Sequence, residues 1–330
     1  MLIKFSLALG FLFQVRAGWV DSDTLQDDFN INSYVDDRNY SIIFSDEFNA
    51  AGRTFNDGTD PRWTALDKND YTNYALHYYK ANLAKTNDGY LNISTIHKET
   101  QFQVLDRSSS PRSKVEKKYY QSAMINGWNK FCFTGGIVEI NAKLPGKYDI
   151  GGLWPAMWLL GNLARATYVG SSDYMWPWSY NECKRSLQYS QYVSSCNKVN
   201  HFDMQPFKGR GAPEIDILEA MPGKEELINT PINKPYFSAS LQVSPGIPEN
   251  RPETAQKPDL NYWYNHGLDY GQNTSLNIFF YGLKLQHKRK EQCYQADALS
   301  ANSQLTETHF TDFHKYRLEW IPGDNGYIKW

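Results

Sequence analysis

From Tyr40 onward the chain is written in short runs of β-forming residues, each cut off by Gly, Pro, Asn or Asp. The runs are Ser41–Phe48, Tyr90–Ile96, Gly136–Lys143, Leu153–Leu160, Glu214–Glu219, Phe237–Val243, Leu276–Leu285, Tyr316–Trp320 and Tyr327–Trp330. Hardly any stretch has the apolar spacing of an amphipathic helix. Many short strands punctuated by turn residues restrict the fold to an all-β sandwich or jelly roll. Residues 161–212 separate two good strands by far more than a usual loop, which marks a functional or disulfide-stapled excursion. Residues 244–275 form a second long connection, rich in Pro and Tyr. Residues 18–39 are polar and acidic and read as a loose N-terminal arm. At the other end, the turn Gly323–Gly326 leads into Tyr327–Trp330, a strand begun where the sequence stops. The sandwich, over 40–330, is therefore expected to lack its last C-terminal strands.

The N-terminus bounds the compartment. Lys4, an apolar run from Phe5 to Phe13, and Val15-Arg16-Ala17 before Gly18 read as a signal peptide over residues 1–17. The run is too short to span a bilayer, and no other segment is long and apolar enough. Behind such a signal, Asn39, Asn92 and Asn273, each in an Asn-x-Ser/Thr triplet, are glycosylation candidates. The four cysteines, Cys132, Cys183, Cys196 and Cys293, allow three pairings in an oxidising compartment. Joining Cys183 to Cys196 closes a short loop and contributes roughly 3 kcal/mol; Cys132–Cys293 is then the other bridge. With no Cys-x-x-Cys and scattered histidines, a zinc site is not expected. The reading is a secretory-pathway protein, extracellular or in the cell wall or an endomembrane lumen, with any membrane association arising through that route.

With 34 basic and 36 acidic residues the net charge is −2, which argues against a nucleic-acid partner. The 10 Trp, 23 Tyr and 17 Phe exceed the needs of a core alone and suit the C–H faces of sugar rings.

The sharpest chemical feature is Glu214-Ile215-Asp216-Ile217-Leu218-Glu219. On a strand Glu214 and Asp216 share one face while Ile215 and Ile217 enter the core. Glu219 has the wrong parity unless one extra residue bulges at Ile217–Leu218, a device that re-aims side chains beside active sites. With that bulge three carboxylates line one face. A retaining glycosidase needs two carboxyl groups about 5–5.5 Å apart, one to attack the anomeric carbon and one to protonate the leaving oxygen. Neighbouring negative charge raises the pKa of the acid. A solvated strand face or a calcium site would use the same oxygens. Upstream, Gly151–Gly161 places Trp154, Ala156 and Trp158 on one strand face, with the two indoles about 13 Å apart, the reach of neighbouring sugar rings.

Glu214–Glu219 following Trp154-Pro155-Ala156-Met157-Trp158 resembles glycoside hydrolase family 16, the β-jelly-roll enzymes that include laminarinases and lichenases. Ile43–Phe48 and Phe313–Trp320 extend the resemblance across about residues 40–330. Trp128–Phe133, Gly161–Arg165, Trp176–Cys183, Gly209–Pro213 and Ser240–Val243 are similar to the fungal-type β-glucan synthesis-associated proteins. The resemblance implies a concanavalin-like jelly roll, with Glu214 as nucleophile, Asp216 as its helper and Glu219 as acid/base. It also implies Trp154, Trp158, Asn162, Arg165 and Gln242 as substrate contacts, Gln242 reaching substrate or Glu219. The partner implied is a β-glucan polysaccharide. The chemistry calls for no cofactor, and a structural calcium ion is compatible with the fold although no complete ligand set is readable. The function expected is a retaining glycosidase or transglycosylase of β-glucan assembly or cell-wall remodelling. A secreted endo-β-1,3-glucanase of laminarinase type and a non-catalytic glucan-binding protein are the alternatives.

Overall fold

A computed structural model of the chain describes residues 18–105, 113–167, 183, 193–198, 206–226, 232–242, 269–277 and 298–330. The signal-peptide residues, Cys293, most of the 161–212 and 244–275 connections and most of the run Leu276–Leu285 lie outside them. The fold is an all-β jelly roll. Where the sequence suggests one sandwich over 40–330, the chain forms two compact units. The first takes the described residues up to Lys68 together with Tyr78–Lys130, and the second takes Asn69–His77 and Phe131–Trp330.

In the first unit, the polar segment 18–39 is not a loose arm. Strands β1 (Asn30–Asn32) and β2 (Asn39–Ser41) pair antiparallel, with Ile31 opposite Tyr40. Upstream, the Asp21 amide donates to Ser45 Oγ at 2.7 Å, and Thr24 Oγ1 donates to Glu47 Oε1 at 2.8 Å. The expected strand Ser41–Phe48 ends at Ser41, and beyond it Asp46 turns to Arg53. That guanidinium makes a two-pronged bond to Asp46 at 2.6 and 2.8 Å and a second to Asp60 at 2.8 Å. The Phe48 and Phe55 rings flank it at 5.4 and 5.3 Å. Such a fork geometry is specific to arginine. Burial raises the Asp60 pKa, but the Arg53 bond and the Trp63 and Arg62 amides outweigh it and hold it below the ordinary value. Strands β3 (Thr64–Ala65) and β10 (Ile125–Asn126) pair beside a core of Phe55, Ala65, Ala81, Ala84 and Ala123. Strands β4 (Lys68–Asn69) and β5 (His77–Tyr79) bracket the stretch given to the second unit. Strands β6 (Ala84–Asn87) and β7 (Tyr90–Ile93) form a tight hairpin. Strands β8 (Ile96–Leu105) and β9 (Ser113–Ser122) form a long one that the sequence reading misses.

The second unit is the sandwich. One sheet runs β12 (Ala156–Leu160), β13 (Glu214–Met221), β14 (Tyr236–Gln242), β16 (Ala298–Gln304), β15 (Thr274–Leu276), every neighbouring pair antiparallel. The other runs β11 (Gly136–Ala142), β17 (His314–Ile321), β18 (Tyr327–Lys329). Alternation decides what meets between them. Met157, Leu159, Ile215, Leu218, Ala220, Phe237 and Leu241 turn inward against Val138, Ile140, Tyr316, Leu318 and Ile328. Each large side chain buried there stabilises the fold by roughly 1.5–3 kcal/mol.

Gly161 closes the base of the long excursion. Its amide donates to the Pro213 carbonyl at 2.9 Å, and a Cβ at this position would lie 2.6 Å from the Ala212 Cα. Within the excursion Cys183 and Cys196 form a disulfide, the mark of a chain folded in an oxidising compartment. The second expected bridge fails at its described end, because Cys132 is an exposed free thiol. Asn39, Asn92 and Asn273 are all exposed. Among the described residues no helix is long and apolar enough to cross a membrane, which says nothing of a β-barrel.

Candidate active site

The polar face of the five-stranded sheet is built around one bulge. Asp216 stands opposite Ser240 and Glu219 opposite Ser238, so Ile217 and Leu218 together face the single residue Ala239. On the other side Trp158 pairs with Asp216 and Met157 with Leu218, which leaves Ile217 as the extra residue. Both bulge side chains drop into the core, Ile217 at 2% and Leu218 at 0% exposure. The inserted residue corrects the parity of Glu219, and Glu214, Asp216 and Glu219 emerge on one face.

Register then sets the neighbours. Ala156, Glu219, Ser238, Asn302 and Ser275 form one row across five strands. Trp158, Asp216, Ser240 and Ser300 form the next, and Leu160, Glu214 and Gln242 lie in the one beyond. Ser240 and Ser300 hydroxyls bond at 2.7 Å, so this face is polar throughout its middle.

Asp216 is fully buried. Burial raises its pKa, opposed by hydrogen bonds with Glu214 and Gln242. Gln242 Nε2 donates to Asp216 Oδ2 at 2.8 Å and lies 3.5 Å from Glu214 Oε1. Of the two reaches expected of Gln242, to substrate or to Glu219, the second is corrected here. Gln242 pairs with Glu214, two rows away from Glu219, and the amide spans only to the nearer carboxylates.

Glu219 has its pKa pushed up to about 8, first by burial and then by the negative charge of Asp216. Bonds from Ser238 and the Trp154 indole pull the other way. A carboxyl held protonated at neutral pH is what general acid chemistry requires. The phenol of Tyr236, one pleat beyond Ser238, is raised by burial and by the Glu219 charge.

Trp154 does not sit on β12. The strand begins at Ala156, not Leu153, because Pro155 has no N–H to give the ladder; its carbonyl instead accepts the Ala220 amide at 2.9 Å. Trp154 is thus free of the pleat, half exposed at 49%, and turned onto Glu219. Trp158 remains on the strand, half-buried and opposite Asp216. Asn162, exposed, and Arg165, half-buried, lie in the turn after β12, beyond the end where Leu160 meets Glu214. Ser238 and Tyr236 were missed by the sequence reading; Ser238 stands at even spacing from Gln242 within the run Phe237–Val243, and Tyr236 lies one residue before that run. Among the described residues no three His, Cys, Asp or Glu side chains are grouped to hold a metal ion.

A sandwich with this carboxylate face defines the class, an all-β jelly-roll protein. The chain belongs to the family described as "Beta-glucan synthesis-associated protein SKN1/KRE6/Sbg1", whose model matches residues 3–330. It is 32% identical to the beta-glucan synthesis-associated protein KRE6 of Saccharomyces cerevisiae over 97% of this chain and 41% of that protein. It is 28% identical to KRE6 of Candida albicans over 100% of this chain and 42% of that protein. The chain spans about two fifths of the length of these curated relatives. Among solved structures it is similar to an endo-β-1,3-glucanase from Pyrococcus furiosus, at 15% identity and a TM-score of 0.42, covering 91% of this chain and 74% of that one.

Proposed function

We propose that the chain is a retaining β-glucan-active glycosidase or transglycosylase serving β-glucan assembly or cell-wall remodelling. The observation that carries this reading is the pairing of roles on β13. Glu219 is held protonated near pH 7 and takes the part of the acid, while Glu214, on the same face and hydrogen-bonded with Asp216, takes that of the nucleophile. In the first step Glu214 attacks the anomeric carbon as the glycosidic bond breaks, and the Glu219 proton passes to the leaving oxygen. A glycosyl ester on Glu214 and a shortened glucan result. In the second step Glu219, now a carboxylate, takes a proton from water or from a sugar hydroxyl, whose oxygen displaces Glu214. Asp216 steadies the nucleophile through its hydrogen bond with Glu214 in both steps. Trp154 and Trp158 offer faces for sugar rings. On this reading the protein is secreted or enters the endomembrane lumen, with glycans at Asn39, Asn92 and Asn273.

The test uses end-labelled β-1,3-glucan oligosaccharides, with products sized by mass spectrometry and Glu214→Gln as control. Products longer than the substrate, absent with Glu214→Gln, support transglycosylation. Shorter products alone favour hydrolysis. Wild-type turnover retained in Glu214→Gln would sink the assignment of the nucleophile, and binding without turnover in either protein would sink the enzyme reading.

A further inference from the structure

The bulge that aligns the carboxylates has a contact that the catalytic chemistry does not use. Trp330 Nε1 donates to the main-chain carbonyl of Asp216 at 2.8 Å. Asp216 is the last residue in regular register before the bulge. Trp330 follows β18, where Ile328 pairs with Trp320 and packs against the core. Trp330 lies one residue past the end of β18, 41% exposed, and its indole reaches across to the β13 main chain. The other sheet of the sandwich therefore holds the strand at the point where its register breaks.

We infer that Trp330 is a positioning residue, fixing the Asp216 carbonyl and so setting where Asp216 and Glu219 emerge on the polar face. A bulge has fewer ladder bonds than regular strand and more ways to relax. Its shape is not settled by β12 and β14 alone, since both skip a residue there. A donor anchored in the second sheet removes that freedom. Only the kinetic arm of the test rests on the glycosidase reading.

The experiment compares the full wild-type chain with Trp330→Phe, which keeps an aromatic ring and loses the N–H, and with Ile328→Val, which trims the same strand without touching a donor. Amide hydrogen exchange by NMR is read at Ile217, Leu218 and Glu219. Exchange about tenfold faster or more at those amides in Trp330→Phe, and unchanged in Ile328→Val, is expected. Unchanged exchange in a folded Trp330→Phe overturns the inference. In the wild type alone, the Trp330 indole proton should exchange slowly; exchange at the rate of a free indole overturns the inference without any variant. In turnover assays kcat should fall about tenfold to a hundredfold in Trp330→Phe with KM unchanged, and the basic limb of its pH profile should move. A loss of folded fraction alone, with KM and pH profile intact, would mean a merely structural tryptophan. If the wild type shows no turnover, the functional reading fails while the exchange measurements still decide the role of Trp330.

Discussion

The indole of Trp154 and the carboxyl of Glu219 are hydrogen-bonded partners, although one lies before β12 begins and the other lies beyond the bulge of β13. The bond favours the charged carboxylate and so works against burial. Replacing Trp154 with Phe keeps a ring for a sugar to stack on and removes the donor. The Glu219 pKa should then climb further, by about 0.5–1 unit. Rate against pH, or a carboxyl NMR titration, checks the direction; a limb that stays put or moves down contradicts the assigned contact.

Glu219 also ties stability to pH. Its folded pKa of about 8 lies above the ordinary value of 4.5 expected for the unfolded chain. Between those values the folded state holds a proton that the unfolded state has lost, so folding stability falls as pH rises through that window. Below about pH 4.5 the penalty vanishes, and above about 8 it is complete. Thermal melts from pH 5 to 8.5 should show a declining Tm, and Glu219→Gln, which cannot ionise, should flatten that slope. Catalysis that needs the protonated acid should fail over the same upper range.

Asp60 has the opposite sign. Its folded pKa lies below 3.8, so its contribution is present above that value and is lost as pH falls through the folded pKa. Asp60→Asn removes one of the two carboxylates on Arg53 while Asp46 stays paired, and should cost about 3 kcal/mol at pH 7. Urea melts should show the gap from wild type narrowing below about pH 4.

Gly161→Ala tests packing alone. The new Cβ would press 2.6 Å from the Ala212 Cα, and Ala212 is itself fully buried, so backbone must move. A loss of about 1–3 kcal/mol is expected, read by denaturant melts. A neutral result would mean that the two chain segments are not in contact in solution.

Much of the sandwich is legible in the sequence where one face of a strand is apolar and the other is not. Gly136–Ala142, Glu214–Met221, Tyr236–Gln242 and His314–Ile321 all show that alternation, and the parity clash at Glu219 already demands the bulge. Strands β8 and β9 escaped because almost none of their residues is buried. With Phe102 opposite Glu116 and Val104 opposite Lys114, no apolar face repeats. β16 escaped because Ala, Ser and Asn are not strand-formers by type, and register with β14 is what holds them there. The segment from Asp21 to Glu47 is fixed by side chains bonding to partners more than twenty residues away, a pattern no local period records. Ser238 becomes a Glu219 partner only after the bulge has shifted the ladder, so its role is a property of paired strands.

The meeting of Gly161 with Ala212 and Pro213 joins the two ends of the long excursion at the hairpin it interrupts. The chain leaves β12 and re-enters β13 at nearly the same point, and Leu160 faces Glu214 as though the turn between them were short. The sheet does not count what lies between those ends. Residues there can be gained, lost or exchanged while the register of the carboxylates stays as it is, so the excursion and the chemistry are free to diverge at separate rates.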